Sequence, residues 1–124
     1  QLTVVYCPRT HAFFDYPKHP VADMLRANVR VALGTDSRAS NPDLNLWREV
    51  QFLLQQRSDL PAQAVIRMAT ASGADALGRS DLGRIEVGSR PGLGYVATAA
   101  SKLANVAADL AINDFCRLPS ENPS

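Results

Sequence analysis

The chain has 124 residues, enough for one modest domain, and 46% of them are hydrophobic, which excludes a disordered chain on composition. Thirteen Lys and Arg against twelve Asp and Glu leave a formal charge of +1, with the two signs interspersed, so nothing in the charge calls for nucleic acid or an anionic membrane as partner. Cys7 and Cys116 lie far apart and outside any C-x-x-C pair, no apolar run approaches the ~18 residues of a membrane span, and no signal-peptide pattern opens the sequence; free thiols and a cytoplasmic location are the expectation.

Leu2 to Cys7 is a β-branched and aromatic run that reads as a first strand, stopped by Pro8. A chain that opens on Gln1 in mid-strand reads as a piece of something longer. A polar and aromatic loop is expected from Arg9 to His19. Pro20 suits a first helical turn, and Val21, Met24, Leu25 and Val29 recur at i, i+3, i+4 and i+8, which predicts a short amphipathic helix. Val29 to Leu33 is nearly all apolar, as in a parallel strand covered on both faces, and Gly34-Thr35-Asp36-Ser37 ends it. The result is a βαβ unit that delivers one carboxylate to a strand's C-terminal tip, where barrel enzymes carry their catalytic groups.

Asn41 before Pro42 reads as an N-cap, so a helix is expected from near Pro42 to about Gln56, with Leu44, Leu46, Trp47, Val50, Leu53 and Leu54 as a broad apolar stripe. Pro61 opens another helical stretch, in which Val65, Ile66 and Ala69 share a face. Thr70 is placed to cap a further helix that Gly78 stops in a left-handed conformation. From Asp81 onward glycines punctuate two short runs, Arg84 to Val87 and Tyr95 to Thr98, which read as strands of a small β appendage. Leu103, Val106, Leu110 and Phe115 suggest a helix in an alanine-rich stretch, and Leu118 to Ser124 has linker composition.

Taken in order, Cys7-Pro8-Arg9-Thr10 closing one strand, Met24-Leu25 in a helix, Val31-Ala32-Leu33-Gly34-Thr35-Asp36-Ser37 and Ala39-Ser40-Asn41 resemble the C-terminal end of the metal-dependent amidohydrolase superfamily. The likeness is to the branch that holds chlorohydrolases and the deaminases of adenosine-type nucleosides, guanine and aminofutalosine. Met68-Ala69-Thr70, Gly73-Ala74, Ala76-Leu77-Gly78 and Gly83 to Ser89 extend it, so that it covers roughly Val4 to Gly92. After Ser89 the sequence departs, with Pro91-Gly92-Leu93-Gly94 where the family has an Ala-Asp pair entering an apolar strand.

The resemblance implies an α/β fold made of the last β/α units of a (β/α)₈ TIM barrel, strands 7 and 8 with their helices, plus part of a small β-sandwich appendage. It places the barrel portion at residues 1–80, the appendage at 81–100 and a helical or irregular tail at 101–124. It also implies a divalent metal, zinc or iron, that turns water into a nucleophile against a carbon bearing an amine or halide. Asp36 matches the aspartate that ligates the metal, accepts the proton and returns it to the leaving group. The family's other ligands are a His-x-His pair and two single histidines upstream of anything in this sequence; His11 and His19 match none of them, so no metal is expected on this chain alone.

The remaining candidates keep two readings each. Asp36 by itself is also a plain strand-end or capping aspartate. His11 and Arg9 lie where a substrate is contacted at a barrel mouth, yet His11 is equally a loop-packing residue and Arg9 equally a brace on a carboxylate. Ser37, Ser40 and Asn41 are expected to organise the loop around Asp36, with capping the plainer role for Asn41. Phe13, Phe14 and Tyr16 offer stacking surface but more often pack a loop, and Trp47 is expected in the helix-to-sheet core. The expected function is part of a hydrolase acting on carbon–nitrogen bonds of a small heterocyclic substrate, inactive as an isolated piece. A non-catalytic α/β scaffold is the alternative. Exposed edges of two parallel strands predict a homo-oligomer or edge-to-edge association.

Overall fold

Val4, Tyr6, Val31 and Leu33 alternate with Val5 and Ala32 along two short apolar runs, and a pleated backbone sends alternate residues to opposite faces. In the computed structural model, which describes residues 2–90, 92–98, 109–111 and 113–117, these runs are β1 (Thr3–Tyr6) and β2 (Arg30–Leu33). They pair in parallel, with Val4 opposite Val31 and Tyr6 opposite Leu33. The crossover between them contains α1 (Pro8–Phe13) and α2 (Val21–Arg26), and β2 is followed by α3 (Leu46–Gln56), α4 (Ala62–Ala69) and α5 (Ala71–Ala76). A separate antiparallel pair joins β3 (Gly94–Val96) to β4 (Phe115–Arg117), with Tyr95 opposite Cys116.

One face of the parallel pair carries the core. Tyr6, Val31 and Leu33 pack there against Val21 of α2, Val50 and Leu53 of α3, and Val65 and Met68 of α4. Leu53, Val65 and Met68 are fully buried, each stabilising the layer by about 1.5–3 kcal/mol. The other face carries Val5, which is 57% exposed, and Gly34, where an added Cβ would stand 2.7 Å from Val5 Cγ1 and 3.2 Å from Cys7 Sγ. The core cluster thus lies on one side of the two strands, while on the other Ala32 is buried and Val5 is open.

Several elements differ from the sequence expectation. The stretch after β1 begins with α1 and not with a loop, because Pro8 sits ready at the first helical positions and the His11 amide closes the first turn on the Cys7 carbonyl at 2.9 Å. α3 begins at Leu46 and not near Pro42. Its cap is Asn45, whose side chain accepts from the Trp47 amide, while Leu44 lies in the left-handed region at φ 51° and breaks any helix running from Pro42. Thr70 does not cap α5; its hydroxyl donates back to the Ile66 carbonyl at 2.8 Å. Gly78 follows α5 with φ 69°, the left-handed stop its position predicts.

Arg84 to Val87 form no strand. Gly83 and Gly88 turn the chain through positive φ on either side, Ile85 and Val87 are exposed, and Arg84 instead forks onto Asp75 of α5 at 2.7–2.8 Å. In the expected helix from Leu103 to Phe115, Leu103 and Val106 lie outside the described residues, 109–111 are helical, and Phe115 belongs to β4. The linker-like Leu118 to Ser124 also lies outside them. Trp47 sits where α3 meets β4: its indole N–H donates to the Asn113 carbonyl at 3.0 Å and its ring lies 5.7 Å from that of Phe115. No helix among the described residues is long and apolar enough to cross a membrane.

Candidate active site

Just past the end of β2, the chain passes through the left-handed region at Asp36, φ 60°, a conformation that a short polar side chain tolerates better than most. The carboxylate is at the surface, and it is held from one side: Ser40 Oγ donates to Oδ2 at 2.9 Å. Ser40 is buried, and its oxygen lies 3.2 Å from the equally buried hydroxyl of Thr10 on α1. A serine has one proton to give, and here it goes to the carboxylate, so the Thr10 hydroxyl shares its single proton between the Ser40 oxygen and the Thr35 carbonyl. The Thr10 hydroxyl also stands 3.3 Å from the Thr35 carbonyl, which ties α1 to the residue before Asp36.

The sequence neighbours of those two hydroxyls, Arg9 and Asn41, meet at Glu49 of α3. Glu49 Oε2 accepts from the Arg9 backbone amide at 2.9 Å, and Oε1 accepts from Asn41 Nδ2 at 2.6 Å. The Arg9 guanidinium lies 3.6 Å from Oε1 and forks onto Asp43 at 2.8 and 3.2 Å. Asn41 Oδ1 accepts from the Leu44 amide at 3.1 Å, bracing the loop against itself. Glu49 is 0% exposed and Asn41 2%. Burial pushes the Glu49 carboxyl upward, against the amide donors and the Arg9 charge, whereas the Arg9 side chain holds Asp43 below the usual carboxylate range. Burial, followed by the charge of Asp36, pushes the Cys7 thiol up, so Cys7 stays protonated beside the site.

Of the residues singled out from the sequence, Asp36, Ser40 and Thr10 are brought together, and Arg9 joins them through Asp43 and Glu49. His11 turns elsewhere. Its ring meets Tyr6 edge-on at 5.8 Å, Tyr16 at 5.5 Å and His19 at 5.4 Å, and His19 stacks on Tyr6 at 4.1 Å. Phe13, Phe14 and Tyr16 are exposed, in ring contact in sequence order. Asn41 organises the loop and is no helix cap. Glu49 was not singled out, although a signal existed: it is an acid within the apolar stripe of α3, between Leu46 and Leu53, where a solvated charge has no place. A groove of about 540 Å³ between α3, α4 and β3, lined by Leu46, Trp47, Ile66 and Tyr95 among others, lies apart from these residues.

Among the described residues no three His, Cys, Asp or Glu side chains stand together as a metal cage. The donor set fits a divalent ion only as one carboxylate of a larger shell, fixed in orientation by the Ser40 hydroxyl as metal-binding carboxylates commonly are.

Comparison with known proteins gives the chain its relatives. A 5-methylthioadenosine/S-adenosylhomocysteine deaminase of Halobacterium salinarum is 42% identical over 111 residues, 84% of this chain and 26% of the relative. A protein of the same name from Teredinibacter turnerae is 33% identical across 97% of this chain and 26% of its own length. The crystal structure of an adenosine deaminase from Xanthomonas campestris with bound zinc superposes with a TM-score of 0.75 at 33% identity, covering 90% of this chain and 28% of that one. The chain therefore spans about a quarter of the length of the relatives it matches, within an α/β amidohydrolase fold. With residues 3–114 matching the amidohydrolase family across the βαβ unit, the Asp36 loop and the helices behind it, the chain belongs to that family.

Proposed function

We propose that this chain forms the seventh and eighth β/α units of a (β/α)₈ barrel with part of a small β appendage, and that the whole enzyme deaminates a purine nucleoside or related heterocycle. The observation that carries the reading is the placement of Asp36: a carboxylate at the C-terminal end of a parallel strand, oriented by a buried serine, on a strand pair whose core cluster packs on one face. The names of the relatives and of the zinc-bound neighbour support nucleoside chemistry. In this reading Asp36 contributes one ligand oxygen, and the remaining donors come from outside the described residues.

A divalent ion, zinc by analogy with the neighbour, supplies the polarisation that makes water a nucleophile near neutral pH. Asp36 accepts a proton from the attacking water at its carboxylate and returns it to the departing nitrogen; water adds to the ring carbon, the C–N bond breaks and ammonia leaves. Ser40 keeps the carboxylate in one orientation throughout. Arg9, paired with Asp43 and beside Glu49, braces the loop. His11, in ring contact with Tyr6, Tyr16 and His19, holds the segment after α1 in this reading and does not meet the substrate.

The test is ammonia release by the full-length protein that carries this chain, loaded with zinc and offered adenosine, 5′-methylthioadenosine and S-adenosylhomocysteine. Activity on at least one of these, reduced about 10²–10⁴-fold by Asp36→Asn, is expected. No release from any of them, or full activity in the variant, refutes the assignment.

A further inference from the structure

Glu49 is the one carboxylate of the described residues with no exposure at all, and burying a charge is tolerated only where donors surround it. Its partners are not spread at random. One oxygen holds the backbone of Arg9 and the other holds the side chain of Asn41. The next residue on the first arm is Thr10, and the preceding residue on the second is Ser40. Those two meet at 3.2 Å, and Ser40 holds Asp36 at 2.9 Å.

The geometry thus has two storeys: a buried carboxylate gathers two chain segments, and the hydroxyls one residue along each segment meet each other, that of Ser40 donating to the Asp36 carboxylate. The segment from Gly34 to Asn45 has no helix or strand to keep its shape, and it contains two non-glycine residues at positive φ, Asp36 and Leu44. Its shape depends on side-chain hydrogen bonds, and Asn41, which supplies several, is itself anchored on Glu49.

We propose that Glu49 is a positioning residue for Asp36, setting the direction of its carboxylate through Arg9–Thr10 on one arm and Asn41–Ser40 on the other. The proposal rests on the reading of Asp36 as the reactive carboxylate. Glu49 touches no substrate and moves no proton. Its negative charge matters because both oxygens accept: an amide in its place keeps the size but turns one N–H donor toward another.

The test compares Glu49→Gln with the wild type in the full-length protein that carries this chain. Amide hydrogen exchange over residues 36–44 is expected to accelerate about tenfold or more, while residues 50–54 of α3 keep their protection. With nucleoside as substrate, kcat is expected to fall about 10–100-fold with KM within about twofold, because the loss lies in the orientation of a reacting group and not in binding. Adding Ser40→Ala to Glu49→Gln should cost less than the product of the two single losses, since both act on one carboxylate.

Unchanged exchange over 36–44 overturns the proposal, as does a kcat loss no larger than the loss of folded protein. If Glu49→Gln does not accumulate folded, Asn41→Ala removes one arm, leaves Arg9 on Glu49, and is judged by the same two readings. A wild-type protein that releases no ammonia from any nucleoside fails the deaminase reading alone; the exchange comparison needs no substrate and still upholds or overturns the hold of Glu49 on the loop.

Discussion

At the scale of single residues, the Asp36 carboxylate and its supports differ in how they reveal themselves. Asp36 stands out because an apolar run ends on Gly34 and Thr35 immediately before it, a strictly local signal. Glu49 and His19 are defined by partners that folding brings in, Arg9 for the first and Tyr6 and Arg57 for the second. His19 stacks on Tyr6, accepts at its backbone carbonyl from the Arg57 guanidinium at 3.1 Å, and has a buried Nδ1 without a hydrogen-bond partner. Burial first, then the neighbouring His11 and the Arg57 charge, lower its pKa below 6.5; Lys18 and Asp59 form an ion pair in the same corner, at 3.1 Å. The unfolded chain therefore binds a proton at a higher pH than the folded one. Stability from this group is present above 6.5 and is lost as pH falls from there through the folded value. The melting temperature of the full-length protein is expected to drop between about pH 7.5 and 5.5, and His19→Phe, which keeps the ring on Tyr6, should flatten that slope. An identical slope in the variant would assign the drop to other groups.

At the scale of elements, β1, β2, α2, α4 and α5 follow from local rules: β-branched runs closed by proline or glycine, apolar residues at helical spacing, and a glycine stop after α5. Two departures from local rules share a cause, which is competition among hydrogen bonds. Asn41 has the chemistry of a cap, but its amide and carbonyl are taken by Glu49 and by the Leu44 and Asp43 amides, so the cap passes to Asn45. Arg84 to Val87 has the composition of a strand, but Arg84 is drawn onto Asp75 and no strand among the described residues pairs with it. The turn that replaces it depends on Gly83. Its φ is +70°, and a Cβ there would stand 2.7 Å from the Thr70 carbonyl carbon and oxygen and 2.9 Å from the Ala71 nitrogen. The α4–α5 junction is backbone and cannot give way as a side-chain tip does. Gly83→Ala should cost about 1–3 kcal/mol in a urea-unfolding comparison; a loss under about 0.5 kcal/mol would mean that the turn is not docked on that junction.

At the scale of the whole molecule, a parallel pair of strands with its core cluster on one side is half of a layered structure. Parallel sheets are stable with both faces covered and their edges paired, and here Val5 is 57% exposed on the face opposite the core. Expressed by itself, the chain is expected to self-associate, with sedimentation coefficients that rise with concentration; a monomer with a sharp, concentration-independent melt would contradict this. The sequence by itself determined the βαβ unit, the position of Asp36 at the strand tip, the stripes that build the core and the family, because each is written in neighbouring residues or in an ordered series of short motifs. Only the tertiary structure decided what holds Asp36 in place. Glu49, Arg9, Asn41, Ser40 and Thr10 come together from three separate segments, and a buried carboxylate finds its donors through folding, where burial makes unpaired charge costly, and not through spacing along the chain.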